Sequence, residues 1–318
     1  MKGILFTAKG KAEFLDEAEP ACKPDTVKLK SLYTGLSNGT ERSFLMSLHY
    51  GHQLPYPKRI GYQHVSEVVE CGSEVTEFRP GDVVFTATFP GHVQYHLARE
   101  TDLIVKLPSG VDRQEAALLG LACVPWHDAM RGDVRPTDKV LVVGAGMIGQ
   151  LAVQACRCIG AEVVAAGHHE DRLKLAAECG ADAVANTREA GGMDRLQDLA
   201  PFSVVMETTG ADVLGWIIGR EDEPTPCMVG WRGRVVMIGG QREVNYSYLR
   251  AGGNQVALLH TGHFKQTDLE TVVRLMARGD IRIRPLIRDI VPISQAPAIY
   301  NTLANEPSKL LGTVFDWT

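Results

Sequence analysis

Nowhere among the 7 cysteines of this 318-residue sequence is there a C-x-x-C pair. Cys22, Cys71, Cys123, Cys156, Cys158, Cys179 and Cys227 are scattered and odd in number, which argues against a disulfide frame or a closed zinc site and for reduced thiols. Cys156 and Cys158 stand two apart on an expected helix and so point to different faces. Long basic runs are also missing, so no nucleic-acid partner is expected. No apolar stretch is long enough to cross a bilayer, so no membrane partner is expected. The first residues, MKGILFTAKGKAEFLDEAEP, reach charge too soon for a signal peptide, and the expected location is cytoplasmic. Internal repeats and low-complexity segments are absent.

What is present suits two domains, since the chain is too long for one typical core. Mixed charges, with a net charge of -5, and 45% hydrophobic residues are ordinary for a globular protein. Up to about residue 110, short β-like runs such as Thr26–Leu32, Val65–Cys71 and Asp82–Thr86 are broken by glycine and proline, which predicts a compact β-rich domain. Asp112–Arg131 then reads as helical. Beyond it, apolar strands at Lys139–Val143, Glu162–Ala166, Val204–Glu207 and Arg234–Ile238 alternate with helical stretches at Gln150–Ile159 and Asp171–Glu178. That alternation predicts an α/β, doubly wound parallel sheet. Asp268–Gly279 reads as an amphipathic helix, and the tail ends in the apolar run Leu310–Phe315.

Between the first of these strands and its helix lies Gly144-Ala145-Gly146-Met147-Ile148-Gly149. In this pattern Gly144 permits the tight turn, Gly146 lets a pyrophosphate approach the backbone, and Gly149 lets helix and strand pack closely. The free N–H groups at the helix start, Met147 and Ile148 among them, then attract phosphate. An ordinary strand–helix turn is the alternative. About twenty residues on, where a carboxylate usually grips the adenosine ribose, stands Gly167, followed by His168 and His169 and then Arg172. With no acid to repel a 2′-phosphate and three basic side chains to receive it, NADP(H) is the expected cofactor. NAD(H) stays open, because Asp171 can take the ribose instead.

These motifs together resemble the medium-chain dehydrogenase/reductase superfamily, which joins a GroES-like catalytic domain to a Rossmann domain. Phe78–Val84 is similar to its F-x-x-G-D-x-V, Asp138–Gly149 to its cofactor turn, Arg172–Asp182 to the helix and G-A-D that follow, and Gly233–Gly240 to its fifth-strand G-x-V-V-x-x-G. The resemblance implies a GroES-like domain over 1–125, a Rossmann domain over 126–260 and a return segment over 261–318. It also implies Gly239 and Lys309 at the cofactor, a small-molecule substrate in a cleft between the domains, and a homodimer. Many relatives bind a catalytic zinc, but here Ser37 stands at the thiolate position, Tyr62 at the histidine and Gly120 at the third ligand. The four-cysteine lobe of the structural zinc is absent too, so no zinc is expected. The zinc-less branch is resembled most: Gly35-Leu36-Ser37-Asn38-Gly39-Thr40-Glu41 with Gly61-Tyr62-Gln63 is similar to the motifs of the bacteriochlorophyllide a dehydrogenase group. Ile60 and Gln63 depart from that group's pattern, and residues 219–233 fit none.

Hydride transfer to a carbonyl needs a group that stabilises the developing alkoxide and delivers a proton. Without zinc, hydroxyls must do so. Tyr62, Ser37 and Thr40 are the candidates; the alternative for Tyr62 is an aromatic that fills the vacated metal cavity. Glu41 is expected to be buried against an arginine, with proton acceptance as the other reading. Among the 10 histidines, His49, His52 and His260 are the candidates for substrate contact, although solvated or satisfied rings are the commoner outcome. The expected activity is zinc-independent hydride transfer between NADP(H) and a secondary alcohol or ketone. Enoyl or quinone reduction is the alternative within enzymes, and a cofactor-binding redox sensor the alternative outside them.

Overall fold

A computed structural model describes residues 1–48, 53–220 and 227–318. The chain forms two compact units. One comprises Met1–Gly120, Lys265–Arg278 and Ile283–Thr318; the other comprises Leu121–Phe264 and Gly279–Arg282.

The first unit opens with the antiparallel hairpin of β1 (Lys2–Ala8) and β2 (Lys11–Asp16). There follow β3 (Val27–Gly35), α1 (Asn38–Leu45), β4 (His64–Cys71), β5 (Val83–Thr86), β6 (Tyr95–Ala98), β7 (Ile104–Lys106) and α2 (Arg113–Ala116). Period-two burial makes this sheet one-sided over much of β3: Val27, Leu29 and Ser31 are buried while the residues between them are half-exposed. Val27 and Leu29 pack with Val68, Phe78, Val84, Ala98 and Ile104 into one core. The single helical stretch expected over Asp112–Arg131 is in fact two helices. Asp112 caps α2 by accepting from the N–H groups of Gln114 and Glu115, both at 2.9 Å, and α3 (Leu119–Arg131) follows.

In the second unit the elements run β8 (Lys139–Val143), α4 (Met147–Ile159), β9 (Glu162–Gly167), α5 (Glu170–Glu178), β10 (Ala183–Asn186), α6 (Gly192–Asp198), β11 (Phe202–Glu207), α7 (Leu214–Ile217), β12 (Val229–Met237), α8 (Tyr248–Gly253) and β13 (Ala257–His260). The strands form one parallel sheet in the order β10-β9-β8-β11-β12-β13. Parallel strands covered on both faces need continuous apolar runs, and Val140, Leu141, Val142 and Val143 of β8 are all buried. Strand order reverses at β8, so the loops after β8 and β11 flank the switch point where such sheets bind ligands. This is the doubly wound α/β sheet expected from the strand–helix alternation.

The chain then returns to the first unit through α9 (Gln266–Arg278), β14 (Ile287–Pro292), α10 (Ala296–Asn305) and β15 (Gly312–Asp316). β15 pairs parallel with β14 and antiparallel with β3, giving the order β14-β15-β3-β4-β5-β7, with β6 also on β3. Tyr300 of α10 and Phe315 of β15 thereby complete a core with Ile4, Phe6, Leu36 and Leu45. Sequence from opposite ends of the chain thus builds one wall.

Phe202 is fully buried in the core of the parallel sheet. Phe202→Ala should cost about 3–5 kcal/mol through lost burial and a cavity. Urea unfolding followed in the second unit checks this, and a loss below about 1 kcal/mol contradicts the packing described.

Candidate active site

The turn after β8 has the geometry of a phosphate cradle. Gly144 sits at φ 105°, a conformation other residues resist. A Cβ at Gly149 would lie 1.8 Å from the Gly144 carbonyl oxygen, so only glycine lets α4 start this close to the strand. At Gly146 a Cβ would meet nothing within 4 Å, which leaves that face open. Gly146 is the N-cap of α4 and has no side chain to satisfy the first N–H groups, those of Met147 and Ile148 among them. The residues fit a dinucleotide pyrophosphate. Thr208, which the sequence reading missed, braces the turn: its hydroxyl donates to the Val143 carbonyl at 2.8 Å. Gly239 is equally constrained, since a Cβ there would come 2.0 Å from the Gly210 nitrogen. Beside it Glu207, buried at the end of β11, accepts from Thr209, Gly210 and Gln241.

Gly167 ends β9, and its carbonyl accepts both the N–H (2.7 Å) and the O–H (3.1 Å) of Thr187. That brings Thr187 and its neighbour Arg188, which follow β10, to the tip of β9. The His168 and His169 rings lie 4.3 Å apart. Partial burial, followed by the charges of His169, Arg188 and Arg172, holds His168 below the usual imidazole range. Four basic residues therefore gather where no carboxylate ends the strand. Arg188 carries no motif signal; only the sheet order places it here.

In the first unit Ser37, Thr40 and Tyr62 come together as the sequence reading expected of neighbours. The Tyr62 phenol, 6% exposed, donates to Ser37 Oγ at 3.1 Å and also meets Thr40. Burial pushes the phenol up to about 12, with the Ser37 bond opposing and the nearby Glu41 charge adding to the rise. Phe89 lies against the Tyr62 ring, with centroids 5.3 Å apart. The expectation that Glu41 meets an arginine is overturned. Fully buried Glu41 accepts from the Ser37 N–H at 2.8 Å and from the Tyr300 hydroxyl at 2.5 Å, and pairs with His92 Nε2 at 3.1 Å. No arginine among the described residues takes part.

The fold family implies a catalytic zinc, and the donor set tests that implication. A serine, a tyrosine and a glycine hold the three ligand positions. At Gly120 even a Cβ would lie 2.9 Å from Gln63 Oε1, so the Gln63 side chain fills the space a ligand would need. A neutral hydroxyl, a phenol held near 12 and an amide are poor zinc donors. These residues do not fit the ion.

His260 ends the edge strand β13 and is exposed, Lys309 pairs with Glu306 at 2.6 Å on the surface, and His49 and His52 lie outside the described residues. His64 has its Nδ1 3.1 Å from Ser31 Oγ, and its ring lies tilted against that of His96, with centroids 4.4 Å apart. Burial drives both imidazoles down, His96 to about 3.

A buried imidazole with a depressed folded value is neutral in the native state and gains a proton on unfolding. Its contribution is complete above the unfolded value near 6.5 and is lost as pH falls toward about 3. The unfolding free energy should therefore drop by up to roughly 1.4 kcal/mol per pH unit from His96 alone across that window. Denaturant titrations of the wild type and His96→Gln between pH 6.5 and 4 should give a shallower slope for the variant. Identical slopes would contradict the assignment.

Residues 148–278 match the family model described as zinc-binding dehydrogenase. Sorbitol dehydrogenase 1 of Saccharomyces cerevisiae is 29% identical, with 87% of each chain covered. Among solved structures, an Escherichia coli oxidoreductase of unknown specificity superposes with a TM-score of 0.86 at 23% identity, covering 99% of this chain and 98% of the other. A structure from Sinorhizobium meliloti, solved with NADP bound, superposes with a TM-score of 0.84 at 19% identity, covering 99% and 98%. Residues 148–278 thus match the zinc-binding dehydrogenase family model, and the whole chain carries the fold of these solved structures, a Rossmann unit with a GroES-like one.

Proposed function

We propose that this protein interconverts a secondary alcohol and a ketone with NADP(H), without a catalytic zinc. The observation that carries this reading is the buried hydroxyl cluster of Tyr62, Ser37 and Thr40, in which Ser37 and Tyr62 stand where zinc-dependent relatives carry metal ligands. A bound nicotinamide supplies or takes up the hydride. Tyr62 turns its single hydrogen from Ser37 to the developing alkoxide and gives it up as the proton, and the Ser37 and Thr40 hydroxyls then donate to the phenolate until it is reprotonated from water. A phenol held near 12 stays protonated at neutral pH and suits reduction, because an alkoxide is a far stronger base. The motif resemblance to the zinc-less branch supports the same reading. Kinship to a sorbitol dehydrogenase supports an alcohol group as the reacting function.

NADP(H) preference rests on the missing carboxylate at Gly167 and on the basic group of His168, His169, Arg172 and Arg188. A 2′-phosphate carries negative charge that this group can pair, whereas a ribose hydroxyl gains little from it. Steady-state kinetics should give kcat/KM for NADPH at least about tenfold above NADH, and Arg188→Ala should erode that ratio by raising the NADPH KM alone. Equal use of the two cofactors would refute the preference.

Tyr62→Phe should lower kcat for ketone reduction about 10²-fold with little change in cofactor KM. Dialysis against a chelator should leave the wild-type rate unaltered. An unchanged rate in Tyr62→Phe, or activity that follows stoichiometric zinc, would overturn the mechanism.

A further inference from the structure

We infer that His92 is a positioning residue for Tyr62, acting through Glu41 and Ser37. The inference rests on the reading of Tyr62 as proton donor. The contacts form a line that is buried from Thr34 onward and passes through the Ser37 residue itself. Trp317 Nε1 donates to Thr34 Oγ1 at 3.0 Å, and Thr34 Oγ1 meets His92 Nδ1 at 2.7 Å. His92 Nε2 meets Glu41 Oε2 at 3.1 Å, Glu41 Oε1 takes the Ser37 N–H at 2.8 Å, and Ser37 Oγ takes the Tyr62 proton at 3.1 Å. Thr34, His92, Glu41 and Tyr300 are all 0% exposed.

Two features set this line apart from ordinary core polarity. The first is energetic: a buried carboxylate with no Lys or Arg beside it is costly, and an apolar side chain of similar volume would stabilise the core at least as well. The second lies at the start of α1. Ser37 is the N-cap residue, yet its hydroxyl caps nothing. Serine there normally accepts from the N–H two or three residues on, a bond worth about 1 kcal/mol. Here Glu41 reaches back to the Ser37 N–H instead, much as in a capping box, and the hydroxyl is left to receive Tyr62. His92 also backs Tyr62 directly. Gly61, the residue before Tyr62, sits at φ 142°, and a Cβ there would come 2.6 Å from His92 Cδ2. The imidazole thus supports both ends of the Tyr62–Ser37 hydrogen bond.

The test is a double-mutant cycle on ketone reduction with NADPH, using the full-length protein. His92→Phe keeps a ring against Gly61 but removes the bond to Glu41. It should lower kcat about tenfold while the NADPH KM stays unchanged. In a Tyr62→Phe background the same change should have almost no effect, because a positioning residue has nothing left to position. His92→Gln, which can still donate to Glu41, should recover most of the rate. Losses that multiply, or no rescue by glutamine, would overturn the inference. Should His92→Phe fail to fold, Tyr300→Phe removes one donor to Glu41 and should give a smaller loss that likewise vanishes with Tyr62→Phe. A turnover-independent reading comes from hydrogen exchange of the Ser37 amide by NMR. Exchange should quicken about tenfold in His92→Phe, or in Tyr300→Phe if the former does not fold, and return with His92→Gln. If the wild type reduces no ketone, the proposed function fails and the Ser37 amide alone decides on His92; unchanged exchange there rejects the inference.

Discussion

A carboxyl group sealed from water with no lysine or arginine beside it must be surrounded by hydrogen-bond donors, and Glu41 imposes that demand on the first unit. Three separate stretches of chain meet it: the Ser37 amide from its own helix, His92 from the loop before β6, and Tyr300 from α10. Each donor comes from an element that the sheet must first bring into place. The return segment is consequently part of the site and not an appendage, because Tyr300 lies 259 residues from the group it serves. Desolvation also governs the titrating groups nearby. It holds the Tyr62 phenol near 12 and His96 near 3, so both are neutral around pH 7.

The second unit obeys a steric constraint instead. Helix α4 starts where a single methyl on Gly149 would collide with the Gly144 carbonyl, and Thr208 fastens the same turn from the neighbouring strand. The parallel order with its reversal at β8 puts that turn at the switch point. Local glycine chemistry and sheet topology thus agree on one place for a dinucleotide. The tips of β9 and β10 are tied by Thr187 to Gly167, which brings Arg188 toward His168.

Much of the fold could be read in advance, since buried parallel strands and amphipathic helices leave strong periodic signals. Lys139–Val143 and Glu162–Ala166 emerge as β8 and β9 within one residue, and Asp268–Gly279 emerges as α9. Short edge elements did not announce themselves. Strands β10 and β13 span four residues each, too few for any period to stand out.

By itself the sequence determined the glycine turn and the doubly wound sheet. These follow from residue identity and near spacing, which a linear chain displays. Only the tertiary structure decided that Glu41 meets His92 and Tyr300 instead of an arginine, that Gln63 occupies the space beside Gly120, and that Arg188 stands with His168. Such pairings depend on strand order, on register and on the path of the returning chain. No local pattern carries them, because a side chain's partner across a core is set by how distant segments pack.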